Sequence, residues 1–154
     1  APDAFAAQLL QLLTDHGLAD RVQVLSFDWR SLQAVQRLRP GTPTVYLTAH
    51  LPGLDNLQAR SSVPSPWTAG FERRAHASVP RMIAAAGGSH WSSFWRELDA
   101  PRVQEAHTLG LQVLAWTVNR ADDMHRMLGL GVDGIVTDRP DIAMVVWRER
   151  GLIW

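Results

Sequence analysis

The stretch GLQVLAWTVN, residues 110–119, decides the fold class of this 154-residue chain. A glycine opens it, a short apolar run follows, and the run stops at Trp116 and the polar residues after it. Short apolar runs are typical of strands buried inside a parallel sheet. Functional groups of such sheets lie at the carboxyl ends of the strands, so the sequence predicts a site around Trp116.

Helices and strands alternate along the whole chain on either side of this stretch. Strands are predicted at 21–28, 42–49, 87–94, 110–119 and 133–138, and helices at 2–17, 31–40, 78–88, 99–110, 121–131 and 139–151. Such alternation indicates parallel strands with helices packed outside. Two architectures fit, an open doubly wound sheet and a section of a (βα)8 barrel. No glycine-rich phosphate loop follows a strand, which disfavours a dinucleotide-binding fold.

Composition narrows the class of protein. Apolar residues make up 46% of the chain and the formal net charge is zero, which favours a globular core and disfavours nucleic acid as a partner. All 15 basic residues are arginine, and cysteine is absent, so lysine and thiolate chemistry are excluded within these residues. No apolar run reaches the length of a membrane span.

The predicted strand ends supply the candidate site residues. Trp116 either contacts a substrate or fills the end of the core. Asn119 and Asp138 precede helices, which favours N-caps over ligands. His50 is the one histidine that follows a strand directly, and it is kept as a weak candidate.

Two further features are less specific. Asp133 lies at the opposite end of its strand and is interpreted as structural. The loop over 52–76 contains Pro66 and Trp67 and is either a rim over the site or a surface loop. Taken alone, the residues assemble no cluster of acid, base and metal ligands.

Three motifs in order resemble the glycerophosphodiester phosphodiesterase family. GLQVLAWTVN followed by GVDGIVTDRPD, residues 131–141, resembles its C-terminal part. VQVLSFDWRSLQAVQRLRP, residues 22–40, resembles an earlier Ser-Phe strand and its helix, and VQEAHTLGL, residues 103–111, matches the run into the tryptophan strand. The resemblance implies that residues 1–154 are the C-terminal portion of one (βα)8 TIM-type barrel domain whose N-terminal half is absent from the chain.

The resemblance also implies a reaction and roles for residues. The family hydrolyses glycerophosphodiesters to sn-glycerol 3-phosphate and an alcohol with a divalent metal, Ca²⁺ or Mg²⁺. Trp116 and Phe27 match its substrate-binding aromatics, and Thr137 and Asp138 match supporting residues. Its catalytic His-Arg-Gly, Glu-x-Asp, His-Asp and Glu-x-Lys motifs belong to the N-terminal half. We therefore expect no catalytic residue and no metal ligand in this chain.

A rival interpretation is a non-catalytic half-barrel that serves as a binding or interaction module. In the first interpretation the partners are a small glycerophosphodiester and the absent barrel half, and the compartment is open between cytoplasm and periplasm. A half-barrel leaves two sheet edges unpaired and one strand face uncovered. Many strand residues that a full barrel would bury should then face water: Val24, Val45, Leu47, Val113, Leu114 and Ile135.

Overall fold

The main sheet keeps its strands in chain order. The computed structural model describes residues 1–58, 61 and 63–152. Five strands pair in parallel: β1 (Val24–Ser26), β2 (Thr44–Thr48), β5 (His90–Phe94), β6 (Gln112–Trp116) and β7 (Gly134–Ile135). A sequential order has no switch point, so the doubly wound alternative does not apply and the sheet is a barrel segment. The barrel is not closed.

Six α-helices accompany these strands: α1 (Pro2–Asp15), α2 (Trp29–Leu38), α3 (Val79–Ala85), α4 (Ala100–Thr108), α5 (Ala121–Gly129) and α6 (Pro140–Glu149). Right-handed crossovers between neighbouring parallel strands place the connecting helices on one face of the sheet. Helix α2 packs on β1 and β2, and α4 packs on β6, as this rule requires. None of the described helices has the length and hydropathy to cross a membrane.

Side-chain caps explain where three helices begin. Ser78 and Asp99 each accept a backbone N–H in the first turn of α3 and α4. Helix α2 begins at Trp29, two residues before the predicted start at 31, because Asp28 accepts the Arg30 N–H. An earlier start places Trp29 in the core, where its indole N–H donates to the Leu47 carbonyl at 3.2 Å.

The two faces of the sheet differ in burial. Tyr46, Trp91 and Val113 share a register row that faces the helices, and each is at most 2% exposed. The opposite face would form the barrel interior. There Leu25 is 42% exposed, and Leu47 and Leu114 are only partly buried.

The expected exposure of strand residues is therefore correct only in part. Leu47 and Leu114 retain exposure because the inner face lacks a cover within the described residues. Val24 and Val113 are buried, contrary to the expectation, because their side chains point to the helices. Val45 is fully buried on the inner face, and Ile135 on the helix face is partly exposed at the last strand.

A short hairpin follows β2, and its turn and second strand fall within the predicted loop over 52–76. Strands β3 (His50–Leu51) and β4 (Leu54–Asp55) pair across Pro52 and Gly53. Gly53 has φ +81°, the value that a glycine provides at the third position of a tight turn. The hairpin lies directly after the carboxyl end of β2 and so belongs to the functional edge of the sheet.

Candidate functional site

Three aromatic rings meet at the carboxyl edge of the sheet. The Trp116 ring lies 5.5 Å from the ring of Phe27, edge to face, and 5.5 Å from that of Phe94, centroid to centroid. All three side chains are partly exposed. Phe94 and Trp116 also share a register row on the inner face. The structure thus brings the two predicted substrate-binding residues together and adds Phe94, and we call these three residues the aromatic wall.

A hydrogen bond to the neighbouring strand holds the Trp116 ring in position. The strand β6 ends at this residue, and its indole N–H donates to the Ser92 carbonyl on β5 at 3.2 Å. The peptide bond that follows it, to Thr117, is cis. Strands β1, β2, β6 and β7 all run toward the same edge, so Phe27, Leu47, Trp116 and Thr137 lie at or near one edge of the sheet.

Asn56 holds the hairpin β3–β4 against the strand ends. It is 4% exposed, and its side-chain amide donates to the carbonyls of Phe27 (3.2 Å) and Leu47 (3.0 Å). Its Oδ1 accepts the Ala49 N–H at 2.9 Å. A buried amide that satisfies both donor and acceptor positions fixes β1, β2 and the hairpin relative to one another. Sequence reasoning missed Asn56, since only the turn signal Pro52-Gly53 hints at a hairpin here.

Asp28 follows Phe27 and carries a firmly held charge. Arg30 donates to both of its carboxylate oxygens, at 2.8 and 2.7 Å. These hydrogen bonds outweigh the opposing effect of burial and lower the pKa of Asp28. A paired carboxylate with a lowered pKa is a poor proton donor, so Asp28 serves the helix start rather than acid catalysis.

Asn119 links the ends of β6 and β7, and the prediction that it caps α5 is wrong. Its Oδ1 accepts from the Asp138 backbone N–H (2.9 Å) and the Thr137 hydroxyl (3.0 Å), and its amide donates to the Asp138 carboxylate at 2.9 Å. The N-cap position of α5 is Arg120, and that of α6 is Arg139 rather than Asp138. A side-chain amide can both donate and accept hydrogen bonds, so Asn119 connects the segments that follow β6 and β7 instead of capping a helix.

Asp133 and Trp67 complete the predicted set. The Asp133 carboxylate accepts the Val113 N–H at 2.7 Å and contacts His107 Nε2 at 2.9 Å, which confirms a structural role. The Trp67 carbonyl accepts the Trp29 N–H at the start of α2, and the Trp67 side chain is 44% exposed. Trp67 lines a cavity together with Phe27, which favours a rim over a surface loop.

His50 lies in a second environment on the helix side of the edge. Its Nδ1 contacts the Asp55 carboxylate at 2.7 Å, and its backbone N–H donates to Glu97 at 2.9 Å. It lines a cavity of about 320 Å³ together with Thr48, Arg73, Trp91, Glu97 and Arg102. Its described contacts do not include the aromatic wall.

One Glu-x-Asp spacing does occur in this chain, although no metal ligand was expected. Glu97-Leu98-Asp99 has the Glu-x-Asp spacing, but it follows β5, and Asp99 caps α4 and pairs with Arg102 at 3.3 Å. Within the described residues, no three acidic, histidine or cysteine side chains lie close enough to hold a metal ion. The residues present therefore do not fit a divalent-metal site by themselves.

The aromatic wall offers an apolar contact surface, and its described contacts include no acid, base or cationic group. The described ring contacts and hydrogen bonds of the aromatic wall involve no carboxylate, imidazole or guanidinium. An exposed aromatic surface at strand ends is suited to apolar contact with a small molecule.

Comparisons with known proteins agree with the motifs. The sequence profile of the glycerophosphoryl diester phosphodiesterase family matches residues 3–142. A glycerophosphodiester phosphodiesterase of Caldanaerobacter subterraneus is 26% identical over 144 residues, covering 94% of this chain and 49% of that protein.

Solved structures give the same result. A Silicibacter pomeroyi protein assigned as a glycerophosphoryl diester phosphodiesterase superposes with a TM-score of 0.80 and 34% identity, over 99% of this chain and 46% of that one. An Oleispira antarctica phosphodiesterase solved with the product sn-glycerol 3-phosphate shares the fold at 17% identity, with a TM-score of 0.68 over 96% of this chain and 50% of that one. The chain thus spans about half the length of these relatives. With a match across nearly all of its residues, the chain belongs to the glycerophosphoryl diester phosphodiesterase family.

Proposed function

We propose that the chain forms five of the eight strands of a barrel that hydrolyses glycerophosphodiesters to sn-glycerol 3-phosphate and an alcohol. In this reaction the oxygen of water bonds to phosphorus, the bond from phosphorus to the alcohol oxygen breaks, and a proton passes to that oxygen. The aromatic wall carries the proposal, because it stands at the carboxyl edge of a parallel sheet in a chain of this family. The product bound by the Oleispira antarctica relative supports the substrate class.

The groups that act on phosphorus are proposed to come from three further strands. A (βα)8 barrel has eight strands, and the described sheet has five, which leaves three. Phosphodiester cleavage needs a proton donor for the leaving oxygen and a cationic partner for the phosphate charge. The described residues do not assemble these groups at the aromatic wall, so the three-strand complement would supply the catalytic histidines and the ligands of a divalent cation, Ca²⁺ or Mg²⁺.

A buried hydroxyl on the inner face supports such a complement. Ser92 is fully buried on β5, and its Oγ has no hydrogen-bond partner among the described residues. Buried polar groups are normally paired, and an unpaired one costs about 1–3 kcal/mol. A complement that closes the barrel would place new side chains against this face.

The proposal is tested on the intact polypeptide that contains these residues. Incubation with glycerophosphocholine and excess Ca²⁺ or Mg²⁺ is expected to release sn-glycerol 3-phosphate, measured by a coupled dehydrogenase assay. A chelator should stop the release if the complement holds the cation. Binding of glycerophosphodiesters without turnover would instead support the non-catalytic half-barrel module.

A further inference from the structure

A second cavity opens beside the aromatic wall, on the other side of Phe27. It has a volume of about 360 Å³ and is lined by Phe27, Gly53, Leu54, Asp55, Asn56 and Trp67. This volume lies within the range of small-molecule pockets. Because Phe27 belongs both to the aromatic wall and to this cavity, a diester held against Trp116 would extend one of its groups past Phe27.

The lining has the chemistry of a cation site. It combines two aromatic rings with one carboxylate, and none of its lining residues is basic. Trp67 and Leu54 are 44% and 41% exposed, so apolar surface faces the cavity mouth. An ammonium ion within about 6 Å of an aromatic centroid is attracted by the negative ring face, most strongly by tryptophan.

The Trp67 ring already shows this type of contact. The Arg30 guanidinium lies 5.7 Å from the ring centroid. Asp28 holds that guanidinium through two hydrogen bonds, so its positive charge is balanced locally. Arg30 therefore stacks on the ring without leaving an uncompensated positive charge beside the cavity.

Trp67 is held in place by its own backbone. Its N–H donates to Ser65 Oγ at 3.1 Å, and its carbonyl accepts the Trp29 N–H at 2.7 Å. Ser65 in turn donates to the Asn56 carbonyl at 2.5 Å. The rim residue is thus tied to α2 and to the hairpin, which preorganises the cavity for a ligand.

Asp55 distinguishes between kinds of ammonium ion. Its Oδ1 accepts the N–H groups of Leu57 (3.1 Å) and Gln58 (2.8 Å), and its Oδ2 contacts His50 Nδ1 at 2.7 Å. These contacts take three of the about four acceptor positions of the carboxylate, so it attracts a cation mainly by charge and leaves one position on Oδ2 for a hydrogen-bonding ammonium. That favours a quaternary ammonium, which has no N–H to donate, over a primary one.

We propose that this cavity binds the alcohol group of the diester and selects alcohols that bear a quaternary ammonium ion. The proposal rests on the proposed function, since it assigns the alcohol end of that same substrate. It separates the two ends of the substrate: the aromatic wall faces the glycerophosphate, and the cavity takes the alcohol.

The test compares glycerophosphocholine with its neutral isostere, the 3,3-dimethylbutyl diester, in which carbon replaces nitrogen. For the intact polypeptide, kcat/KM for the choline diester is expected to exceed that for the isostere on the order of tenfold. Trp67→Leu removes the ring face but keeps apolar bulk, and it should bring this ratio close to one. Trp67→Phe keeps a ring and should retain a ratio of about threefold or more.

Two outcomes would overturn the proposal: a ratio near one in the unmodified protein, or a ratio that Trp67→Leu leaves unchanged. General structural damage lowers both rates and leaves the ratio as it was. If neither diester is hydrolysed, the proposed function fails, and the cavity is tested alone with tetramethylammonium by saturation-transfer NMR. Binding lost in Trp67→Leu would still support the cation site, and no binding to the unmodified protein would refute it.

Discussion

Trp116 makes a structural hydrogen bond and also presents a partly exposed ring. Its indole N–H fixes it to β5, while its ring meets Phe27 and Phe94 and remains partly exposed. In the intact enzyme we expect Trp116→Ala to lower kcat/KM by about 5- to 150-fold, the equivalent of about 1–3 kcal/mol of lost apolar contact. Metal affinity should change little, because Trp116 is not a ligand. Trp116→Phe is the matched control, and unchanged kinetics in the alanine variant would show that the ring only fills the core.

The charge of Asp28 should make the stability of the fold depend on pH. Its pKa is lowered in the folded state by Arg30, so its charge stabilises the fold above its ordinary pKa, and this stabilisation is lost as pH falls through the folded value. Asp28→Asn keeps a capping side chain but removes the charge. In urea unfolding, the variant should be less stable by at most about 1 kcal/mol at pH 7. The difference should begin to shrink as the pH falls toward the ordinary pKa of about 4 and should vanish only below the lowered folded value. A difference that stays constant down to pH 3 would contradict the assignment.

At the scale of elements, the turn from α3 into β5 depends on a close approach. A Cβ at Gly88 would lie 2.6 Å from Ile83 Cγ2 and 2.9 Å from the Tyr46 ring. Both residues are fully buried, so neither can move freely. Gly88→Ala is expected to destabilise the protein by about 1–3 kcal/mol in thermal or urea unfolding. Gly41→Ala is the control, since its Cβ meets nothing within 4 Å and should change stability by less than about 0.5 kcal/mol.

The elements also show what the sequence could and could not predict. Apolar periodicity and the Gly and Pro boundaries predicted all five sheet strands and all six α-helices, including the weakly marked strand at His90–Phe94. Contacts between residues far apart in sequence decided the rest. Asn119 was predicted as a cap from its neighbours in sequence, but its partners Thr137 and Asp138 lie beyond the end of β7. Phe94 and Asn56 join the site through pairings that one-dimensional patterns do not contain.

At the scale of the whole molecule, the sheet has an uncovered inner face. Leu25, Leu47 and Leu114 are partly exposed there, and within the described residues β1 and β7 each pair on one side only. Open edges and apolar patches drive association. We expect residues 1–154 alone to self-associate in sedimentation velocity and to bind a hydrophobic dye. Co-expression of the three-strand complement should suppress both, and a monodisperse chain without dye binding would contradict the half-barrel account.

We propose that this chain supplies the aromatic wall but not the catalytic groups of a phosphodiesterase barrel. The most direct test of this proposal is the release of sn-glycerol 3-phosphate from glycerophosphocholine by residues 1–154 alone, with excess Ca²⁺ or Mg²⁺. The same assay is run on the intact polypeptide and on the chain co-purified with its complement. We expect no product from the chain alone and product from both complete forms. Metal-dependent product release by the chain alone would contradict the proposal.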